Sequence, residues 1–595
     1  MKRILRIIAI VIASLFLVFV SILSLSETQK LDNKLNVATL VAIPAQTVSK
    51  EPEIDINDLP FQDNPDIYQY DDPTSVVTMY VTVRKGNSSD NTNYTWKQVN
   101  DFTKWFYTNN KNVVVGRSEA IVQVGDEKGP IPGELGYGAV VSNATIQIRG
   151  ASTSLQAQKS YKIELRSQAG KWRGQTTIDL NKHIFDPSRL RQKLSFDLMK
   201  QIPNMVSLRT QFVHLYVKDE TELPLQTKFQ DYGLFTQVEQ PNKRYLRAHL
   251  LDPNAQLYKA TFFEFNRYPD QLRLVTDPLY NLDSFSSILE VKGNQDHSKL
   301  IKMLDDLNNY DIPIEQTFEK YFNKENYFTW LAFNILVGNV DTQSQNFLLY
   351  SPENGTKWYF MPWDYDGTFF RESQVNLGYF PYQPWEYGIA NYWGSRLHNR
   401  VLSVAKYRNM LNDKINELMK FLTPERIKGM VDSYRAVTDV YTSRMPDLYY
   451  DSFSTALKNQ DIASIPGEIK LNYDLYLESL QTSMPFYLGT PEVQGDQLVF
   501  NWDESKDFGG QNITYHFMLS DNWEFKTVLA DVTLKNEVTT KIPMLKPGDY
   551  FWRVLATNEK GKIAYPFDLY WDAESQPHYS MKYFYVTADG KVLEK

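Results

Sequence analysis

The 595-residue chain contains no cysteine. That absence excludes disulfide scaffolds, thiolate-bound metals, iron–sulfur clusters and cysteine nucleophiles together. Histidine is nearly as scarce: seven are scattered along the chain with no HExxH or HxH spacing, which leaves zinc chemistry little to work with. Positive charge is not in excess either. The 63 Lys and Arg face 71 Asp and Glu for a formal net charge of -8, which argues against a general polyanion binder and so against nucleic acid as a partner. Coenzyme fingerprints, a serine nucleophile elbow and sustained coiled-coil heptads are also missing. What is present, 42% hydrophobic and 14% aromatic residues, is the composition of folded globular protein. The length predicts roughly two to four domains.

Lys2, Arg3 and Arg6 precede an uncharged, largely apolar stretch from Ile7 to Leu25, followed by Ser26-Glu27-Thr28. Residues 1–25 therefore predict a basic cytoplasmic flank and a single transmembrane helix, with the bulk of the chain outside the cytoplasm. The alternative is a signal peptide cut near Ser21 or Ser24, after which the protein is secreted. Residues 26–75 are rich in Pro, Asp and Asn without sustained periodicity and predict an extracytoplasmic stalk.

Folded structure is expected from Val76, where a β-branched run to Val83 opens a series of strands at 112–115, 120–124 and 144–148. The middle turns helical. Asn323 to Asn339 places Tyr327, Leu331 and Ile335 on one face and ends at Gly338-Asn339, and Thr423-Pro424-Glu425 supplies an N-cap followed by Pro at the first helical position. Strands first and helices later predict a two-lobed α+β domain over residues 76–480. Beyond it, Val499 to Trp502, Thr514 to Leu519, Glu537 to Ile542 and Tyr550 to Ala556 are short strands separated by turns. With Trp502, the tyrosine corner Leu545-Lys546-Pro547-Gly548-Asp549-Tyr550 and Trp552-Arg553-Val554, residues 485–572 resemble a fibronectin type III sandwich. That resemblance implies a spacer or binding module, followed by a tail over 573–595.

Candidate chemistry concentrates near Asp341. In Gly338-Asn339-Val340-Asp341-Thr342-Gln343-Ser344-Gln345-Asn346 an Asp and an Asn stand five apart in a loop between a helix and the apolar strand Phe347 to Tyr350. A second strand, Trp358 to Met361, ends in Pro362-Trp363-Asp364-Tyr365-Asp366-Gly367 and delivers a second acidic cluster. Order and spacing echo protein kinases, where a catalytic Asp is followed five residues on by a metal-binding Asn and then by a metal-binding Asp on the next hairpin. Magnesium takes a few oxygen ligands from protein and the rest from phosphates. The competing reading is ordinary turn chemistry, for which Asp-Tyr-Asp-Gly is equally suited.

Further stretches carry a resemblance to a known family. They are Ile148-Arg149-Gly150, Lys159-Ser160-Tyr161-Lys162-Ile163, Leu180-Asn181, Asp186-Pro187-Ser188-Arg189-Leu190-Arg191-Gln192-Lys193, Tyr232-Gly233-Leu234-Phe235 with Glu239, and Leu257-Tyr258-Lys259. Together with Asn339 to Asn346 and Pro362 to Asp366, and in that order, they make residues 140–450 resemble the CotH kinase family, named for a bacterial spore-coat protein. The resemblance implies an atypical protein-kinase fold that uses ATP and Mg2+ or Mn2+ to phosphorylate serine in protein substrates at the cell surface or spore coat. It implies Asp341 as the catalytic residue, Asn346, Asp364 and Asp366 as metal ligands, and Lys159, Glu239 and Arg149 as nucleotide-binding residues, with Glu239 the acid that positions Lys159. Lys162 lies an odd number of positions after Lys159, so only one of the two faces the cleft on a regular strand. Arg149 and Arg191 are each either phosphate ligands or structural ion pairs. No Gly-rich phosphate loop is evident, and Arg149-Gly150-Ala151-Ser152 replaces it by analogy only.

Two alternatives stand beside a protein kinase. Little ATP is present outside a bacterial cell, which favours an idle surface-assembly or adhesion protein. A transferase acting on a surface polysaccharide uses the same metal clamp. The Pro-broken aromatic loop from Gly378 to Tyr387 either stacks on a ligand or packs against the lobe.

Overall fold

The computed structural model describes residues 61–103, 115–374, 376–379 and 381–594. The apolar stretch Ile7 to Leu25, most of the expected stalk and most of the strand expected at 112–115 lie outside the described residues. Among the described residues no helix is long and apolar enough to cross a membrane.

The strands expected after Val76 form a closed sheet. Its members are β1 (Val76–Arg84), β2 (Ser118–Asp126), β3 (Gly129–Pro130), β4 (Ala144–Arg149), β5 (Ser160–Leu165), β6 (Thr177–Asn181), β7 (Thr210–Asp219) and β8 (Gln230–Val238). They run in the order β1-β7-β8-β6-β5-β4-β2-β3, and β1 pairs with β2 as well as β7, so the sheet returns on itself. Closure leaves few free edges. Alternate residues point inward: Met79, Val81 and Val83 meet Ala120, Val122 and Val124, and Ala144, Ile146 and Ile148, in one apolar interior.

The second lobe has its own sheet and most of the helices. Helix α1 (Arg191–Met199) precedes β7. Strands β9 (Gln256–Ala260), β10 (Leu289–Val291), β11 (Phe347–Ser351) and β12 (Tyr359–Pro362) run in the order β10-β9-β11-β12. Around them pack α2 (Lys324–Leu336), α3 (Ala405–Phe421), α4 (Pro424–Thr442) and α5 (Thr455–Ser479). Asn323 caps α2 by accepting from the Asn326 N–H, and Thr423 caps α4 by accepting from Arg426. Every residue from Asn326 to Leu336 is buried, so α2 is a central helix and not one with a single apolar face. It stops at Gly338, whose φ of +67° and whose approach to Asn472, 2.8 Å from where a Cβ would stand, admit glycine alone.

Residues 492–594 form a two-sheet sandwich. Its strands are β13 (Glu492–Gln494), β14 (Gln497–Asn501), β15 (Ile513–Ser520), β16 (Val528–Lys535), β17 (Thr539–Pro543), β18 (Gly548–Asn558), β19 (Ile563–Ala564), β20 (Leu569–Trp571), β21 (Pro577–Tyr579), β22 (Lys582–Val586) and β23 (Val592–Glu594). One sheet is β13-β14-β17 and the other β16-β15-β18-β22-β23. The Tyr550 hydroxyl donates to the Lys546 carbonyl at 2.9 Å, the tyrosine-corner bond expected from the sequence. The expected tail is not a tail. β22 pairs with β18 from Gly548 to Trp552, and Phe584 and Val586, two apart and hence on one face, enter the core.

The expected stalk also ends earlier than residue 75. Phe61 is buried and stacks on Tyr359 at 4.4 Å, and Asn64 Nδ2 donates to the Ala248 carbonyl at 2.8 Å. Asp63 lies 2.5 Å from His249 Nδ1, while Glu239 lies 3.0 Å from His249 Nε2, so the buried imidazole donates from both nitrogens as a cation. Burial alone would lower the pKa of His249, but the charges and hydrogen bonds of Glu239 and Asp63 raise it to about 9. Burial would likewise raise Glu239, yet His249 and Arg209 bring it down to about 2. The histidine contribution to stability is therefore complete below its ordinary 6.5 and is lost as pH rises through about 9. The glutamate contribution is complete above its ordinary 4.5 and is lost as pH falls through about 2. His249→Gln is expected to lower the unfolding free energy by on the order of 3 kcal/mol near pH 6, with the gap to wild type closing toward pH 9.5. Urea denaturation at both pH values checks this, and a gap that does not change with pH contradicts it.

Candidate active site

Strand pairing brings the two acidic motifs together. β11 and β12 are antiparallel with Phe347 opposite Pro362, so Asn346, just before β11, and Asp364, just after β12, emerge at the same end of the hairpin. Both adopt left-handed backbone, φ +58° and +59°. Asn and Asp tolerate that region best among residues with a Cβ, and such strain concentrates at functional sites. Asp341 comes from the other side, on the single turn Val340–Thr342 that follows α2. This turn is pinned: Thr342 Oγ1 donates to the Asn339 carbonyl at 3.0 Å and meets the Tyr392 hydroxyl at 2.9 Å, and Asn391 Nδ2 donates to the Val340 carbonyl at 3.1 Å. The Asp364-to-Gly367 turn folds back toward it, since a methyl group on Gly367 would stand 3.9 Å from Asp341 Oδ2.

These groups line a cleft of about 1010 Å³ between the barrel and the second lobe. Asp341 is exposed, and its open surface faces the cleft. Around that opening the carboxyl is hemmed in by the protein that forms the cleft. That burial, followed by the charges of Asp366, Glu386 and Asp364, pushes Asp341 up to about 6. Burial and Asp366 also raise Asp364, against the pull of Lys259, Arg149 and His183. Asp364 Oδ1 accepts from Gln192 Nε2 at 3.2 Å, whose own Oε1 accepts from Asn181 Nδ2 at 2.8 Å. His183 Nδ1 lies 3.6 Å from Asp366 Oδ2.

The cleft also carries cations. Arg149 at the end of β4, Lys162 on β5 and Lys259 on β9 all line the cleft, with Lys292 beside them. Among them lies Asp179, fully buried, with neither carboxylate oxygen hydrogen-bonded and with Arg149 Nη2 at 3.6 Å. Burial raises its pKa, while Arg149, Lys162 and Lys292 hold it down. At the end of β4, Gly150 turns the chain with φ +85°, and a Cβ there would stand 2.0 Å from Thr153 Oγ1.

The donor set suits a small hard cation. Burial, then the mutual repulsion of Asp341, Asp364 and Asp366, raises the proton affinity of Asp341 and Asp364, a cost that a divalent ion relieves, and Asn346 adds an amide oxygen to the same cleft. Among the described residues no three His, Asp or Glu side chains form a cage by themselves. Such a site leaves coordination positions for phosphate and water, as magnesium sites commonly do.

Of the residues expected from the sequence, Asp341, Asn346, Asp364, Asp366 and Arg149 meet in the cleft. The Lys159–Glu239 pair is not formed. Lys159 Nζ donates to the Ser154 carbonyl at 2.7 Å, and Glu239 is held by Arg209 and His249 in the buried network beneath the N-terminal segment. The odd spacing is resolved in favour of Lys162, which stands in register opposite Asp179. Arg191 is a structural ion pair with Asp186 and Asp461. Asp179, Lys259, Lys292 and Gln192 were given no role by the sequence reading; an acid and lysines within apolar strand runs were the available signal, without the register that assembles them. The aromatic loop divides: Tyr379, Pro381, Tyr382 and Glu386 line the cleft, while Trp385 is buried against Phe567 at 5.4 Å.

Comparison with known proteins bears on this arrangement. The family described as CotH kinase protein matches residues 146–473, more than half of the chain. Inner spore coat protein H of Bacillus subtilis (strain 168) is 24% identical over 245 residues, which cover 41% of this chain and 63% of that protein. The chain thus spans a little under two thirds of the length of that relative.

Proposed function

Since the chain belongs to the CotH kinase protein family, we propose that it is a metal-dependent protein kinase that transfers the γ-phosphoryl group of ATP to serine hydroxyls of proteins at the cell surface or spore coat. The observation that carries this reading is the convergence of Asp341, Asn346 and Asp364 near one end of the β11–β12 hairpin, in the cleft that Arg149, Lys162 and Lys259 also line. Asn346 and Asp364, with Asp366 in the same turn, would hold Mg2+ or Mn2+. A divalent ion bound there supplies charge neutralisation for the phosphates. Arg149, Lys162 and Lys259 add positive charge in the same cleft. Asp341 accepts the proton of the acceptor hydroxyl as its oxygen bonds to the γ-phosphorus; the bond from that phosphorus to the β–γ bridging oxygen breaks and ADP leaves. With a pKa raised to about 6, Asp341 is a stronger base than an ordinary carboxylate and still ionised at neutral pH.

The apolar stretch Ile7 to Leu25 behind its basic flank supports attachment to the outer face of the cell membrane. The name of the Bacillus relative supports a surface location. The sandwich, with its Tyr550 corner, supports a fibronectin type III-like module.

The test is transfer from labelled ATP by the full-length chain with Mg2+ or Mn2+, alongside nucleotide binding. Lys162→Ala is expected to weaken ATP binding about tenfold, the effect of losing roughly 1.4 kcal/mol of charge-assisted contact, and Lys159→Ala to change it far less. A chain that binds no nucleotide in the presence of either metal overturns the proposal.

A further inference from the structure

The sandwich is not a separate appendage. Asn558 Nδ2 donates to the Gln481 carbonyl at 2.8 Å, just past the end of α5, and Lys562 pairs with Glu478 of that helix at 2.7 Å. Phe508 of the sandwich sits edge-on against Trp393 at 5.6 Å and carries the Arg408 guanidinium over its ring at 3.9 Å. Apolar rings and hydrogen bonds at several separate points hold the two bodies in one orientation.

From that anchored body the β20–β21 hairpin reaches the cleft. Its turn is tied by Asp572, whose carboxylate accepts from the Gln576 N–H at 2.7 Å and lies 2.9 Å from His578 Nε2. Its base is tied by the Ser580 N–H, which donates to the Asp568 carbonyl at 2.7 Å. Tyr570 stacks on Tyr583 of β22 at 5.7 Å, so the hairpin lies against the sheet. Tyr579, the last residue of β21, then packs edge-on against Trp385 at 6.3 Å and lines the same cleft as Asp341. Glu386 and Tyr382 lie between, each within electrostatic reach of Asp341, and Tyr579 is within reach of Glu386.

We propose that the C-terminal sandwich is part of the acceptor site: Tyr579, with Tyr382 and Glu386, forms the wall against which the polypeptide flanking the accepting hydroxyl lies. This rests on the protein-kinase reading. The order of groups along the cleft carries the argument. Lys259 and Arg149 reach Asp364, Asp364 and Glu386 both reach Asp341, and Glu386 reaches Tyr579, so Asp341 stands between the phosphate-binding groups and this wall of the one cleft. An acceptor hydroxyl approaching Asp341 in line with the phosphates enters from the wall side. The Tyr579 ring, the Tyr382 face not covered by the Arg371 guanidinium, and the remaining lone pairs of Glu386, whose oxygens each already accept from Gln383, offer stacking and hydrogen bonds to an extended backbone at little conformational cost to the rings. Tyr579 therefore helps set acceptor choice without touching the nucleotide.

The test uses the full-length chain, labelled ATP and a degenerate library of serine-centred peptides as acceptor. Tyr579→Ala is expected to raise the peptide KM about tenfold or to change the residues selected beside the serine, with nucleotide affinity unchanged. Tyr579→Phe keeps the ring and is expected to recover most of that loss, and Trp571→Ala, which alters an exposed ring on the same hairpin outside the cleft, is expected to behave as wild type. A Tyr579→Ala protein with wild-type peptide KM and selection overturns the inference. So does a wild-type chain that binds ATP and metal but phosphorylates no peptide. A wild-type chain that binds no nucleotide removes the kinase reading itself, and the acceptor wall with it.

Discussion

Asp341→Asn is expected to lower kcat for phosphoryl transfer about 10³-fold, with little change in the KM for ATP. The substitution is nearly isosteric and leaves Asn346, Asp364 and the cleft cations in place, so what it removes is one carboxylate, with its charge and its capacity to accept a proton. A merely structural aspartate would give a different pattern. Asp341 is ionised at neutral pH in surroundings that disfavour its charge: burial first, then Asp366, Glu386 and Asp364. Its folded pKa, about 6, lies above the ordinary 3.8, so the folded state binds more protons than the unfolded state between those values. Stability is lost as pH rises through that window, and the cost is fully present above about 6. The Asn variant carries no such cost. It is therefore expected to melt no lower than wild type at pH 8 without divalent ions, with any advantage fading as pH falls toward 4. Thermal denaturation at the two pH values, read beside the kinetics, separates the roles. An inactive variant that is also destabilised at pH 8 marks Asp341 as structural.

The legibility of the chain follows the range of the interactions involved. Asn346 and Asp364 were recognisable because each lies at the boundary of an apolar strand, and an antiparallel hairpin brings its two outer ends together by local geometry alone. The caps of α2 and α4 were equally local: Asn323 and Thr423 each bond to an N–H three residues on. The Lys159–Glu239 pairing failed because it required the register of distant strands. Glu239 follows β8 and is claimed by Arg209 and by His249, whose other ring nitrogen meets Asp63 from the segment read as a stalk, a polar network with no local sequence signature. Lys162 was distinguishable from Lys159 only as one of two opposite faces, and the choice depends on the pairing of Lys162 with Asp179. The final strands were missed because the β20–β21 hairpin interrupts the spacing of the sandwich before β22 resumes it.

Arg191→Met is expected to cost on the order of 3–5 kcal/mol of folding stability, the penalty for leaving buried carboxylates without their cation. The Arg191 guanidinium is fully buried and meets Asp186 at 2.6 Å and both oxygens of Asp461, the nearer at 2.5 Å and the other at 3.0 Å. Burial alone would lower its pKa, but the two carboxylates more than reverse this. Its Nε donates to the Phe369 carbonyl at 3.2 Å, and its plane lies over the Phe370 ring at 4.6 Å. Arg191 thus ties α1 to α5 and braces the chain just after the Asp364-to-Gly367 turn, from behind the cleft. Lysine offers one ammonium where a planar fork meets two partners, so Arg191→Lys is expected to recover only a small part of the loss. Replacing Arg191, Asp186 and Asp461 together by apolar residues of similar volume is expected to restore much of it, because the uncompensated charges are removed with their partner. Denaturant unfolding of the three proteins gives the stabilities. ATP binding by the folded fraction of Arg191→Met then distinguishes a brace from a phosphate ligand: an affinity close to wild type fits the buried ion pair, and a tenfold loss in protein that is still folded contradicts it.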